Sequence, residues 1–419
     1  MKTKIKLALS AALILSSGLY ADNKADIETL KEQLKELQEM TQILTDETSD
    51  LKTGFNYTTV DKDKTFSGLG AAASKVYYSK SPLSIGGYGE MFYATKTTEG
   101  ATAGESVIDV YRFVPYIGYK FTDNIILNTE IEFEHGGSKQ NTTDPDLSGG
   151  YVIVEFMYLD FLINENINAR LGNFLVPMGL INERHEPTLF TTVQRPETSR
   201  YLLPSTWHES GAMIFGNIGN NISYKVAGIT AIDTLENGSS WLRDGRAGSL
   251  KQKNPEFAGV VRVDYTGVNG LLVGASAYYG TSGIGEDSTT FMYDIHGDYK
   301  VAGFRAYGVY TQTIRSNAET IANGVEEAKG GFLNLSYDVL TTTQSEFSLP
   351  VFAQYESVNP QAKFADAISY NAVNTTTVGV NFFPHKQTVL KADYAMADND
   401  YSNSGKSSDT FSLSMGFIF

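Results

Sequence analysis

The sequence predicts an all-β fold, a 16-stranded antiparallel transmembrane β-barrel with a short N-terminal α-helical coiled-coil segment. Three observations predict it. A secretory leader opens the chain, apolar residues alternate with period 2 from Leu83 to Phe419, and tight turns alternate with long connections along that stretch. A barrel in a bilayer must turn one face of every strand to hydrocarbon and the other to water, while its two rims are free to differ. A soluble sheet with one solvated face shares the alternation, but nothing obliges it to keep one end trimmed and the other elaborate.

Composition removes other classes. The 419 residues contain no Cys but 39 Gly, 25 Tyr and 23 Phe, and 33 Lys+Arg stand against 48 Asp+Glu, a net charge of −15. Without Cys there are no disulfide frameworks, thiol nucleophiles or Cys-held zinc. The acidic balance leaves no basic face for phosphates, so no nucleic acid is expected as a partner. Aromatic content this high does not belong to a disordered chain.

Residues 1–21 read as a signal peptide. Lys2, Lys4 and Lys6 precede an apolar core from Leu7 to Leu19, too short to span a membrane, and Ala21 supplies a small residue for cleavage. In residues 22–53, Ile27, Leu30, Leu34, Leu37, Thr41, Leu44, Thr48 and Leu51 fall on a/d heptad positions. That spacing makes one apolar seam, which only a like helix would bury, so a periplasmic coiled coil is expected. Residues 54–82 mix Gly, Ser, Lys and Asp and read as a linker. The barrel domain is expected over 83–419.

Strands are expected at 83–95, 107–121, 125–135, 151–163, 167–176, 209–219, 222–232, 257–266, 271–280, 289–300, 303–314, 328–339, 346–357, 371–383, 387–397 and 408–419. The alternation is plain in 125–134, where Ile125, Leu127, Thr129, Ile131 and Phe133 share a face and Asn128, Glu130, Glu132 and Glu134 share the other. Turn signals fall at Thr122-Asp123-Asn124, Asn164-Glu165-Asn166, Asn220-Asn221, Gly267 to Gly270, Val301-Ala302 and Pro384-His385-Lys386. The tail alternates Phe411, Leu413, Met415, Phe417 and Phe419 with Ser412, Ser414 and Gly416, an apolar strand edge suited to membrane insertion.

Sixteen strands enclose an aqueous lumen rather than a packed core. The expected function is therefore that of an outer-membrane porin, a water-filled channel for passive diffusion of small hydrophilic solutes or ions, surrounded by outer-membrane lipid. The longest connection, 177–208, is the expected narrowing element, because a loop of this size in a closed fold is usually functional. Glu183, Arg184, His185, Glu186, Arg195 and Arg200 are placed at the constriction, and Arg112, Glu130, Glu132, Arg170, Arg262 and Arg305 on the wall. Wall acids are at least as numerous as wall bases, so the pattern does not spell an anion filter.

No catalytic motif stands out, whether Gly-x-Ser-x-Gly, a Walker loop or His-Glu-x-x-His, and the chain is not expected to be an enzyme. The pairs His185-Glu186 and His208-Glu209 put adjacent side chains on opposite sides of an extended chain, so no metal or cofactor is expected from either. Two alternatives remain: a barrel plugged by its loops that tethers the envelope through residues 22–53, and a hydrolase at the rim using a Ser with one of the five His.

Gly172-Asn173-Phe174-Leu175-Val176-Pro177-Met178-Gly179, Asn182-Glu183-Arg184-His185-Glu186-Pro187, Arg195-Pro196 and Leu203-Pro204-Ser205-Thr206-Trp207-His208-Glu209-Ser210-Gly211 resemble the phosphate-selective porin O and P superfamily. The resemblance implies a sixteen-stranded, usually homotrimeric channel whose third external loop enters the pore. Phosphate preference in that family rests on a dense run of lumenal Arg and Lys. Here Arg184, Arg195 and Arg200 are diluted by Glu183, Glu186 and Glu197, which implies a general or weakly selective channel.

Overall fold

The computed structural model describes residues 28, 31–41, 60, 64–137, 150–234, 238–248, 250–281, 288–321, 324–365, 369–399 and 405–419. It falls into two units, residues 1–59 and 60–419. In the first, residues 31–41 form a helix (α1) with Leu34 about half exposed. The expected leader, 1–21, and most of the expected coiled coil, 22–53, lie outside the described residues.

The second unit is a closed antiparallel barrel. Its strands are β1 (Leu83–Thr98), β2 (Glu105–Lys120), β3 (Ile125–Glu134), β4 (Val152–Leu162), β5 (Asn168–Leu175), β6 (His208–Ile218), β7 (Ile222–Thr230), β8 (Phe257–Tyr265), β9 (Leu271–Thr281), β10 (Thr289–Val301), β11 (Phe304–Arg315), β12 (Val325–Asp338), β13 (Pro350–Phe364), β14 (Val373–His385), β15 (Thr388–Asn399) and β16 (Ser408–Ile418). Each pairs with its sequence neighbours, and β1 closes on β16 from Tyr88↔Ile418 to Thr98↔Ser408. Closure leaves no strand edge unpaired, which a bilayer interior demands.

Burial alternates as the sequence pattern requires. Along β8, Phe257, Val261, Val263 and Tyr265 point outward while Ala258, Val260, Arg262 and Asp264 are buried inside. Exposed aromatics gather near both strand ends. Phe121, Tyr265, Phe304 and Tyr337 lie towards the short-turn rim, and Phe257, Tyr279, Phe291 and Phe411 towards the long-loop rim. Two such girdles bracketing an apolar band are what a membrane barrel presents to the two interfaces.

Side chains stitch the short turns. Thr122 Oγ1 accepts from the amides of Asn124 (3.2 Å) and Ile125 (3.0 Å), and Asn164 Oδ1 from those of Asn166 (2.9 Å) and Ile167 (3.0 Å). Between β10 and β11, Ala302 and Gly303 both have positive φ, 47° and 82°, as a two-residue hairpin with right-handed strand twist needs.

Two departures from the sequence expectation matter. First, the strand expected at 346–357 runs over Pro350–Phe364. Asp338 gathers the preceding turn, its carboxylate accepting from the amides of Leu340 (3.1 Å) and Leu349 (2.8 Å) and from Ser348 Oγ (2.7 Å). Pro360 is tolerated inside β13 because the β12–β13 register slips between Glu327 and Lys329, leaving no ladder bond for the missing N–H to make. Second, the expected linker contains an eight-residue helix, α2 (Ala71–Tyr78), packed inside the barrel against β1, β2 and β3. Its small residues, Ala71, Ala72, Ala73 and Ser74, are buried and let it approach the wall. Asn128 donates to the Ala73 carbonyl (2.9 Å), Lys120 to that of Ser79 (2.7 Å), and Tyr77 Oη to Asp160 (2.6 Å).

Candidate functional site

The connection between β5 and β6, residues 176–207, folds inside the barrel. Its apolar residues are buried there: Val176, Met178, Leu180, Ile181, Phe190, Leu202 and Trp207 are each at most 4% exposed. Burial of each side chain contributes roughly 1.5–3 kcal/mol. The backbone, which cannot be left unsatisfied in an interior, is met by wall side chains around most of the circumference. Asp294 on β10 accepts from the Gly179 amide (2.9 Å) and Arg262 on β8 donates to the Gly179 carbonyl. Arg305 donates to Leu189 (2.9 Å), and Lys391 to Phe190 and Thr192 (both 2.9 Å). Asp393 receives the Val193 amide (2.6 Å), and Glu356 the amides of Glu197 (3.1 Å) and Thr198 (2.6 Å).

Several residues expected at the constriction serve this docking. Glu183 is buried, with Lys225 Nζ at 2.6 and 2.5 Å from its two oxygens and Arg262 at 3.9 Å. Arg184 lies 3.8 Å from Asp298. His185 is buried against β3 and β4, its Nε2 3.2 Å from Glu130 and 3.6 Å from Glu155. Glu186 Oε1 accepts from the amides of Ala72 (2.9 Å) and Ala73 (3.1 Å), capping the N-terminus of α2. Burial raises the Glu186 carboxyl to about 7 despite those donors, and burial holds the His185 ring well below its ordinary value, with Arg195 acting in the same direction.

The expected wall residues are likewise engaged. Arg112 forms an ion pair with Glu90 (2.7 Å) on the adjacent strand, lies 3.5 Å from Glu132, and stacks over Tyr111. Arg170 grips Asp160 through two nitrogens (2.7 and 2.9 Å) beside α2 and sits over the Tyr158 ring. Arg262 pairs with Asp264 (2.7 Å) and Arg305 with Asp298 (2.9 and 3.0 Å). Glu130 and Glu132 are buried.

Open space lies on the other side of the loop. A cavity of about 470 Å³ runs between loop residues 192–201 and the wall of β13 to β16. Arg195 and Arg200 line it with Lys96, interspersed with Glu197, Glu356 and Asp393. Arg200 is half exposed and 3.6 Å from Glu197; Arg195 donates to Ser205 Oγ (3.2 Å) and to the His185 carbonyl (3.3 Å). Thr375, Thr377, Thr410 and Ser412 complete the polar wall. Sequence reasoning missed them because it followed charge. Their signal was parity alone, plain on β16, where Thr410, Ser412 and Ser414 alternate with Phe411 and Leu413, and masked on β14 by the run Thr375-Thr376-Thr377.

Of the other histidines, His135 bonds Asp109 (2.6 Å) and His296 bonds Asp294 (2.6 Å) and Asp264 (2.8 Å). His208 faces Asn173 (3.1 Å), and its neighbour Glu209 accepts from Trp207, Thr230 and Ala247.

A closed 16-stranded barrel with an inward loop and a polar cavity beside it defines the porin-type architecture. No protein-family model matches the chain. The chain belongs to one family with an uncharacterized protein of Aquifex aeolicus (strain VF5), to which it is 32% identical over 385 residues, 85% of this chain and 84% of that protein. Solved structures share the fold. The outer membrane channel DcaP of Acinetobacter baumannii aligns with TM-score 0.54 at 12% identity, over 81% of this chain and 99% of that one. OmpF of Salmonella typhi, solved with daunomycin, gives 0.54 at 12% identity over 80% and 97%. The trimer form of OmpT of Vibrio cholerae gives 0.50 at 13% over 81% and 100%.

Proposed function

We propose that the protein is an outer-membrane porin that passes small hydrophilic solutes by passive diffusion, with loop 176–207 narrowing its lumen. One observation carries the reading: a polar cavity beside the inward loop, within a barrel whose outside is an apolar band between aromatic girdles. The likeness of 172–211 to the phosphate-selective porin O and P superfamily supports it, as does the fold shared with named outer-membrane channels. Lys96, Arg195 and Arg200 against Glu197, Glu356 and Asp393 favour weak selectivity, since opposed fixed charges largely cancel in the far field. The role is transport and not catalysis. The trimer form of one fold neighbour supports a homotrimer, and residues 22–53 would then meet as a coiled coil in the periplasm, after a leader at 1–21.

Liposomes reconstituted with the mature chain should swell in isosmotic sugars, fastest with pentoses and progressively more slowly with larger oligosaccharides. Absence of swelling with the smallest solute would refute the reading. A second reading, a plugged barrel serving as an envelope tether, draws support from α2 and the loop, which together occupy the interior along β1 to β5. Deleting 22–53 separates the two. A porin keeps its permeability, whereas a tether loses its effect on envelope integrity.

A further inference from the structure

Where the loop meets β3 and β4, three buried side chains converge in a way that docking alone does not explain. Glu130, Glu155 and His185 are 0%, 1% and 2% exposed, and one potential ligand atom from each lies within 4.8 Å of the others. Glu155 is turned inward by a deliberate irregularity. The β3–β4 register passes from Glu130↔Phe156 to Ile131↔Val154, which leaves Glu155 as the extra residue of a bulge and buries it beside Phe156. Bulges of this kind re-aim side chains at functional sites.

The histidine is oriented as a ligand. Its Nδ1 lies 2.6 Å from the Asn182 carbonyl, which can only accept, so Nδ1 carries the proton. Nε2 then presents a lone pair to the oxygens of Glu130 at 3.2 Å and Glu155 at 3.6 Å. Three such atoms facing one another are held together either by protons shared between the carboxyls or by a cation, and the fixed lone pair of His185 suits a cation. A ring fixed by donating its other nitrogen to a backbone carbonyl is the usual support of a metal-binding histidine. Glu130 Oε2 and Glu155 Oε2 are buried and find no hydrogen-bond partner among the described residues. Two cations, Arg112 and Arg195, and two further acids, Glu90 and Glu132, stand around the cluster.

We propose that Glu130, Glu155 and His185 bind a divalent first-row transition ion, with zinc the natural probe, which staples the inward loop to the wall. One imidazole nitrogen with two carboxylate oxygens suits a borderline ion better than calcium or magnesium. The spacing agrees. Tetrahedral zinc with bonds of about 2.0–2.2 Å sets its ligands about 3.4 Å apart, and the two distances from Nε2 bracket that edge. Water would take the remaining position, as in open three-ligand sites. The site does not depend on the porin reading, because an ion could pin the loop of a sealed barrel equally well.

The test uses the folded full-length chain in detergent, stripped with EDTA and titrated at pH 7.5 with ZnCl2 by calorimetry and with Co2+ by visible absorption. One ion per chain is expected, with the d–d bands of tetrahedral cobalt. His185→Gln and Glu155→Gln should each weaken binding at least tenfold, and His135→Gln at the rim should not change it. Heat-dependent gel mobility checks folding of each variant, and where one variant fails to fold the cobalt spectrum of the unaltered chain decides. No stoichiometric uptake, or uptake indifferent to His185 and Glu155, overturns the proposal and leaves His185 as a neutral acceptor for a carboxyl proton of Glu130 or Glu155. Since no bilayer is involved, failure here is distinguishable from failure to conduct.

Discussion

Replacing Lys225 by Met is the sharpest probe of how firmly the loop is docked. Lys225 and Glu183 bury their side chains to 4% and 3% exposure, and the ammonium nitrogen sits 2.6 and 2.5 Å from the two carboxylate oxygens. Removing one partner of such a pair strands a charge in a dry interior, which costs about 3–5 kcal/mol. Arg262, 3.9 Å from Glu183, offsets part of that, so the expected loss is near 3 kcal/mol. Replacing both partners, Glu183→Gln with Lys225→Met, removes the stranded charge and should recover most of the loss. The assay is urea unfolding in detergent followed by tryptophan fluorescence. The chain has only two Trp, Trp207 buried at the end of the loop and Trp241 buried in the β7–β8 connection, and Trp241→Phe leaves Trp207 alone to report the loop. A loss below about 1 kcal/mol for Lys225→Met would mean that the pair is solvated and the loop not docked as described. A double variant no better than the single would refute the stranded-charge reasoning.

Three further outcomes follow from the same geometry. Because burial raises Glu186 to about 7, the folded chain holds a proton there that the unfolded chain has released. Stability should therefore be greatest below about pH 4.5 as far as this group is concerned, and fall by on the order of 3 kcal/mol between there and pH 7; Glu186→Gln should flatten the urea midpoint across that window. Arg200→Glu and Arg195→Glu remove two of the three cations that line the cavity among the described residues, so reversal potentials in a salt gradient should move several-fold towards cation preference, and an unchanged potential would place the conduction path elsewhere. A β-carbon at Gly118 would lie 2.4 Å from Val76 Cγ2 on α2. Gly118→Val should therefore loosen α2 at a cost of about 1–3 kcal/mol, read as earlier protease cleavage between residues 60 and 82.

The barrel was legible because lipid and water on opposite faces impose a pattern that each strand carries locally. Phe257, Val261, Val263 and Tyr265 against Arg262 and Asp264 declare their faces without reference to any other segment. The inward loop was legible by length. The fate of its charges was not, because it depends on which wall residues the register brings opposite them. Glu90 meets Arg112 only through the β1–β2 pairing, and Glu183 meets Lys225 only once the loop crosses the lumen. Residue type advertised Arg112, Arg170, Arg262 and Arg305 as pore-wall cations; structurally each is paired with a carboxylate, and the space left open is lined by a different charged set together with hydroxyls. Helix α2 was hidden because Ala71-Ala72-Ala73 is too short an apolar run to stand out from the surrounding Gly, Ser and Lys. Glu155 escaped notice because a one-residue bulge, invisible to period-2 counting, turns it inward.

Planar-bilayer recording from the purified mature chain tests the central claim most directly. Discrete, ohmic insertion steps of uniform size are predicted, noisier for Lys225→Met, whose loop loses one of its buried ties. A folded barrel, verified by its gel mobility, that inserts yet yields no steps at any voltage would contradict the account.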